Sequence, residues 1–111
     1  MSRVQLALNV SDLESAIDFY SKLFAAELAL GFKALADPVR LRLLSLIAAA
    51  PDGTACSCDL EEPVGKTQST VSHHLSLLAD AGLITKEKVG RWVNCTIVPE
   101  RLAQLREVLA A

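Results

Sequence analysis

Long apolar runs are missing from this chain of 111 residues: none approaches the roughly 18 consecutive apolar positions of a membrane span. The opening MSRVQLALNV lacks the basic start, long apolar stretch and small-residue cleavage site of a secretory signal, so a cytoplasmic protein is expected. Cysteine is scarce, with three residues, Cys56, Cys58 and Cys95. So small and odd a number excludes a disulfide scaffold, and residues at i and i+2 rarely meet the Cα separation and dihedral of a disulfide, so free thiols are expected. Paired carboxylates, a nucleophile beside a base and a glycine-rich phosphate loop are all lacking, which argues against an enzyme and implies no organic cofactor. What is there is 51% apolar and 22% charged, the balance of a folded chain with one modest core.

A net charge of −2 argues against nucleic acid as a partner when taken whole. Its distribution argues the other way. Residues 66–91 hold Lys66, Lys86, Lys88 and Arg91 against Asp80 and Glu87, a basic excess inside an acidic chain.

Periodicity divides the chain. Val4, Leu6, Leu8 and Val10 alternate as in a half-buried strand. Ser11 with Glu14 three positions on forms a capping box, followed by a helix with Leu13, Ile17, Tyr20, Phe24 and Leu28 on one face and a break or bend expected at Gly31. Asp37-Pro38 opens PVRLRLLSLIAAA as a second helix, and Pro51-Asp52-Gly53 stops it. Residues 56–62 suit about two turns of a short helix, distorted or ended by Pro63 and Gly65. Thr67 can cap a helix over about 68–81 with Val71, His74, Leu75 and Leu78 on one stripe, Ser69, Ser72, His73, Ser76 and Asp80 on the other, and Gly82 at its left-handed end. LITKEKV and RWVNCTIV flank Gly90 as a hairpin with a basic tip, and Pro99 opens a last helix with Leu102, Leu105 and Leu109 on its apolar face.

The expected fold is thus mainly α with a β-hairpin, in the element order of a winged helix-turn-helix. FKALADPVRLRLLSLI, then CSCDL, then QSTVSHHLSLLADAGLITKEKVGRWV resemble the ArsR/SmtB family of metal-responsive bacterial transcriptional repressors, over roughly residues 25–110. The resemblance implies a homodimer that binds a palindromic double-stranded operator and is released by a metal or metalloid. Residues 25–111 would form the DNA-binding domain and residues 1–24 an N-terminal extension. The physics of the segment agrees, because a helix face of short polar side chains can approach the floor of the major groove. Gln68, Ser69, Ser72 and His73 are the candidates for that contact, and Lys86, Lys88 and Arg91 for phosphates or the adjacent minor groove. The plainer readings stay open: a polar helix face is usually only solvated, Lys86 and Lys88 can serve to blunt a hairpin edge, and His74 on the apolar stripe reads as a core or hydrogen-bonded histidine.

Cys56 and Cys58 are the metal candidates. Thiolates select soft ions such as As(III), Sb(III), Cd(II), lead or copper(I). CSCDL resembles the CxCDL element of the family's arsenic-sensing branch, in which the cysteines coordinate trivalent arsenic. That pattern often has a third cysteine where this chain has Glu61. Cys95, Glu61, a cysteine of the other subunit or a small cellular thiol could complete the set, although alternation with Val93 and Ile97 reads Cys95 as a core thiol. The zinc-sensing branch places histidine and carboxylate ligands on the last helix, and PERLAQLREVLAA has no histidine. In a regular helix, positions 56 and 58 point about 200° apart, so binding one ion is expected to bend or unwind that segment. A redox or other non-metal inducer, and a metal buffer that does not bind DNA, are the alternatives.

A second resemblance is confined to MSRVQLALNVSDLESAIDFYSKLF, which is similar to the first strand and helix of glyoxalase-like vicinal oxygen chelate proteins, including cadmium-induced members. It covers about 24 residues. The further strands that build such a metal site do not follow, so no inherited activity is implied.

Overall fold

The computed structural model describes residues 25–110. The strand expected over residues 3–10, the helix start at Ser11 and the boundary after residue 24 lie outside the described residues.

A helix occupies residues 25–35 (α1) and is continuous through Gly31, where a break was expected. The reason lies in packing. Leu28, Gly31 and Ala34 recur at three-residue spacing and are buried, and a Cβ on Gly31 would stand 3.2 Å from Leu105 Cδ2 of the last helix. The glycine permits a close helix approach and does not interrupt the chain.

Asp37 then caps α2 (Pro38–Ala49), its Oδ2 accepting from the N–H groups of Val39 at 2.9 Å and Arg40 at 3.1 Å. This is the start read from the sequence, with proline at a position whose missing N–H costs nothing. α2 buries Leu43, Leu44 and Ile47. A turn at Pro51–Gly53 leads into β1 (Thr54–Cys56), which the sequence reading did not anticipate. Three residues carry too little periodicity to announce a strand, and only pairing with a distant partner makes β1 one. Cys56 therefore ends a strand where a helix was expected. Ser57–Asp59 is a 3₁₀ turn, and α3 (Glu61–Val64) is a single helical turn ended by Gly65 at φ 66°.

α4 (Gln68–Asp80) follows as expected, capped by Thr67 Oγ1 and burying Val71, Leu75 and Leu78, with Gly82 at φ 76° beyond it. β2 (Ile84–Val89) and β3 (Trp92–Ile97) form the expected hairpin. The sheet has three strands, ordered β1-β3-β2 and antiparallel throughout: Thr54, Ala55 and Cys56 lie opposite Thr96, Cys95 and Asn94, while Lys86, Glu87 and Lys88 lie opposite Cys95, Asn94 and Val93. α5 (Pro99–Leu109) buries Leu105 and half-buries Leu102, while Leu109 of the same apolar face is 73% exposed.

The core joins Leu43 and Ile47 of α2 to Leu75 and Leu78 of α4, with Leu83, Ile84 and Cys95 closing it from the hairpin. Full burial of each such aliphatic side chain stabilises by about 1.5–3 kcal/mol. That seam sets how α4 stands on the rest of the fold, leaving the opposite face of α4 outward.

Candidate nucleic-acid interface and thiol pair

On α4, Gln68, Ser69, Ser72 and His73 are all exposed. Ser69 is tied to the cap: Thr67 Oγ1 accepts from the Thr70 N–H at 3.4 Å and lies 3.2 Å from Ser69 Oγ. The first turn of α4 thus presents short polar groups in a hydrogen-bonded set. His74 faces the other way and is half-buried, its Nδ1 3.1 Å from Arg40 Nη1. Arginine can only donate, so Nδ1 accepts and the ring proton sits on Nε2. This is the hydrogen-bonded histidine expected from its stripe. Arg40 Nε also donates to the Ala34 carbonyl at the end of α1, so one side chain of α2 ties together α1 and α4. Asp37 lies in the same corner. The N–H bond from Arg40 holds its carboxyl below the usual range against a smaller opposing effect of burial, helped by the charge of Arg40.

Lys86, Lys88 and Arg91 are exposed on the hairpin. Lys86 Nζ donates to Ser76 Oγ of α4 at 2.8 Å, and the Arg91 guanidinium stacks over Trp92, 5.1 Å from the ring centre. Gln68 and Ser72 of α4 meet Lys86 and Arg91 across a cleft of about 110 Å³ whose lining also includes Ser57 and Glu61. Ser69, His73 and Lys88 are outside it. A polar helix face and a basic hairpin flanking one cleft suit an acidic, grooved partner.

Ser57 of the cleft lining stands between the two residues of the thiol pair. Cys56 is extended, at φ −75° and ψ 139°, and the chain then turns into the 3₁₀ segment. The Cys58 N–H donates to Cys56 Sγ at 3.2 Å, the Cα atoms are 5.1 Å apart, and the two sulfurs are joined as a disulfide. Two expectations are corrected. Residues 56 and 58 do meet, and they do not point 200° apart, because a junction of strand and turn, not a regular helix, brings them to one side. Ser57 between them points inward, 9% exposed, and its Oγ accepts from the Val93 N–H at 3.2 Å.

Neither Cys95 nor Glu61 joins the pair. Cys95 lies opposite Ala55, one register step from the Cys56–Asn94 pair, so it faces the other side of the sheet and is fully buried. Burial pushes its thiol pKa up, with the charge of Lys86 opposing. Glu61 lines the cleft. Among the described residues no cluster of three or more His, Cys, Asp or Glu is arranged to hold a metal ion. Once reduced, the two sulfurs would be a thiolate pair suited to a soft ion that takes further ligands from elsewhere.

Sequence reasoning missed Ser57, Ser76 and Arg40. A lone serine or arginine carries no local pattern, and each acquires its role from a residue far along the chain.

Comparison with known proteins agrees with this geometry. The family model described as "Bacterial regulatory protein, arsR family" matches residues 37–86. The arsenical resistance operon repressor of Bacillus subtilis is 49% identical over 61 residues, 55% of this chain and 56% of that protein. Cadmium-induced protein CadI of Mycobacterium tuberculosis is 46% identical over 95 residues, 81% of this chain and 60% of that protein. The CadI match therefore extends well past the 24 residues in which a resemblance was read. The chain spans little more than half the length of either relative. Among solved structures, an ArsR family transcriptional regulator superposes with a TM-score of 0.69 at 30% identity, covering 78% of this chain and 86% of that one. The AntR antimony-specific transcriptional repressor superposes with a TM-score of 0.62 at 36% identity, covering 77% and 76%. Cap, buried seam, polar helix face and basic hairpin thus coincide with a shared sequence and a shared fold, and the chain belongs to the ArsR family of winged helix-turn-helix transcriptional regulators, which are not enzymes.

Proposed function

We propose that this regulator is a repressor that binds operator DNA as a homodimer and is released when As(III), Sb(III) or Cd(II) binds Cys56 and Cys58. The observation that carries the reading is the position of the thiol pair: both sulfurs lie on one side of a turn whose middle residue lines the cleft between α4 and the hairpin. Related proteins named for arsenical resistance, cadmium induction and antimony specificity support the class of inducer.

Gln68, Ser69, Ser72 and His73 read the major groove, with Gln68 suited to a paired hydrogen bond to adenine. Lys86, Lys88 and Arg91 bind phosphate or the adjacent minor groove and supply the salt-dependent share of affinity. Residues 25–111 act as the DNA-binding unit and residues 1–24 as an extension of it. Exposed Leu30 on α1 and Val108 and Leu109 on α5 are the apolar surface that a second subunit would cover. A two-fold dimer sets two copies of α4 about one DNA turn apart, roughly 34 Å. The third ligand comes from the partner subunit or a small thiol, since Cys95 and Glu61 face elsewhere. The protein works in the cytoplasm, where its operator is; no helix of the described residues is long and apolar enough to cross a membrane.

The test is fluorescence anisotropy of reduced protein on a palindromic promoter fragment from its own operon, titrated with arsenite and separately with cadmium. Release by either supports the reading, and no binding by ion-free protein overturns it. Cys56→Ser with Cys58→Ser should keep DNA binding and lose the response. The sulfur contact favours one second reading, a redox inducer, in which a peroxide takes two electrons from the dithiol, forming the disulfide and water. Release by peroxide with no effect of either ion would select it.

A further inference from the structure

We infer that Trp92 is a positioning residue for operator binding: its indole holds the Arg91 guanidinium ready for the DNA backbone, so the hairpin tip binds without first ordering a long, flexible side chain. This rests on the proposed reading of the hairpin as a DNA contact. Gly90 and Arg91 form a two-residue turn between the paired residues Val89 and Trp92, with Gly90 at φ 63°. So short a turn fixes the backbone of Arg91 together with the strands beside it. It does not fix the side chain, because an exposed arginine samples many rotamers and loses them when it binds.

The neighbouring indole supplies the missing constraint. Trp92 is half-buried, which holds its ring, while Arg91 is exposed and places its guanidinium carbon over that ring, 5.1 Å from the centre. This is within the range of a cation–π contact, for which tryptophan is the best partner. Among the described residues no carboxylate forms an ion pair with Arg91, so its charge is left for an anion from outside. A guanidinium resting on an aromatic face keeps the N–H donors along its edge free, and those donors are the ones that grip a phosphate in a paired contact. Lys86 differs, since its ammonium is turned to Ser76 of α4. The contact joins sequence neighbours at the hairpin tip and involves neither sulfur of the thiol pair. An exposed contact of this kind changes an equilibrium by about two- to fivefold. A dimer brings two hairpins to one operator, so the effect enters twice and amounts to about tenfold.

The experiment is a double-mutant cycle in reduced protein: wild type, Trp92→Val, Arg91→Ala and the double variant, each titrated onto the promoter fragment over a range of salt concentrations. Valine keeps the preference for a strand while removing the ring. Trp92→Val should weaken operator binding about tenfold with the wild-type slope of log affinity against log salt, because no phosphate-neutralising charge is lost. In the Arg91→Ala background the same substitution should change affinity by less than about twofold, whereas a residue that merely supports the hairpin would cost as much there as in the wild type. Trp92 is the one tryptophan of the chain, so acrylamide quenching reads the contact directly, and Arg91→Ala should make the indole more accessible in the free protein. Wild-type affinity in Trp92→Val, an equal loss in both backgrounds, or quenching indifferent to Arg91→Ala overturns the inference. The quenching comparison, which leaves Trp92 in place, decides alone if the valine variant does not fold. Wild-type protein that binds no operator sinks the DNA reading and the inference with it, a different signature from binding that ignores Trp92.

Discussion

At the scale of single residues, two side chains carry pH dependence of opposite sign. The Asp37 carboxylate is held below its ordinary range by the amide it accepts from, so its folded pKa is depressed. Its contribution is present above the unfolded value of 3.8 and is lost as pH falls through the folded value. Asp37→Ala should lower Tm by about 5 °C at neutral pH, the scale of a missing N-cap, and by less near pH 3, as scanning calorimetry at both pH values would read. Cys95 behaves inversely. Burial raises its folded pKa, so the stability it confers is complete below the unfolded value of 9.0 and declines as pH rises from there toward the folded value. In the reduced native protein, a thiol reagent at pH 8 should count two cysteines, and three after unfolding; three in the native state would contradict the buried position of Cys95.

At the scale of elements, the turn after α2 and the hairpin separate stability from recognition. Gly53 has φ +68°, and a Cβ there would lie 2.8 Å from Ile97 Cγ2. Gly53→Ala should therefore cost about 1–3 kcal/mol in chemical denaturation, from backbone strain and the clash together. Single substitution of Lys88 or Arg91 by alanine should leave stability nearly unchanged and reduce the slope of log affinity against log salt by about 1 for each phosphate no longer neutralised. Substituting Ser72 or His73 should instead weaken binding to the operator more than to unrelated DNA. The α4 helix was legible because its buried stripe, cap and terminal glycine all repeat one message at helical spacing. β1 was not, since its three residues become a strand only against Thr96, Cys95 and Asn94.

At the scale of the whole molecule, the exposed apolar residues of α1 and α5 make a prediction about assembly. Replacing Leu30 and Leu109, 48% and 73% exposed, with glutamate should shift the protein toward monomer in sedimentation analysis and weaken operator binding by at least tenfold, because one half-site then binds without the other. A variant that stays dimeric would move the interface elsewhere.

The sequence by itself determined the class of fold, the amphipathic helix α4 with its polar face, the basic hairpin and the spacing of the two paired cysteines. These follow from local periods, caps and side-chain chemistry, none of which needs a distant partner. Tertiary structure decided how the donors meet and what they touch. Cys56 and Cys58 face one way because β1 ends between them, Cys95 is turned to the far side of the sheet by its register, and Ser57 reaches Val93 across 36 positions of chain. Hydrogen bonds and packing between segments remote in sequence set those outcomes, and no period along the chain encodes them.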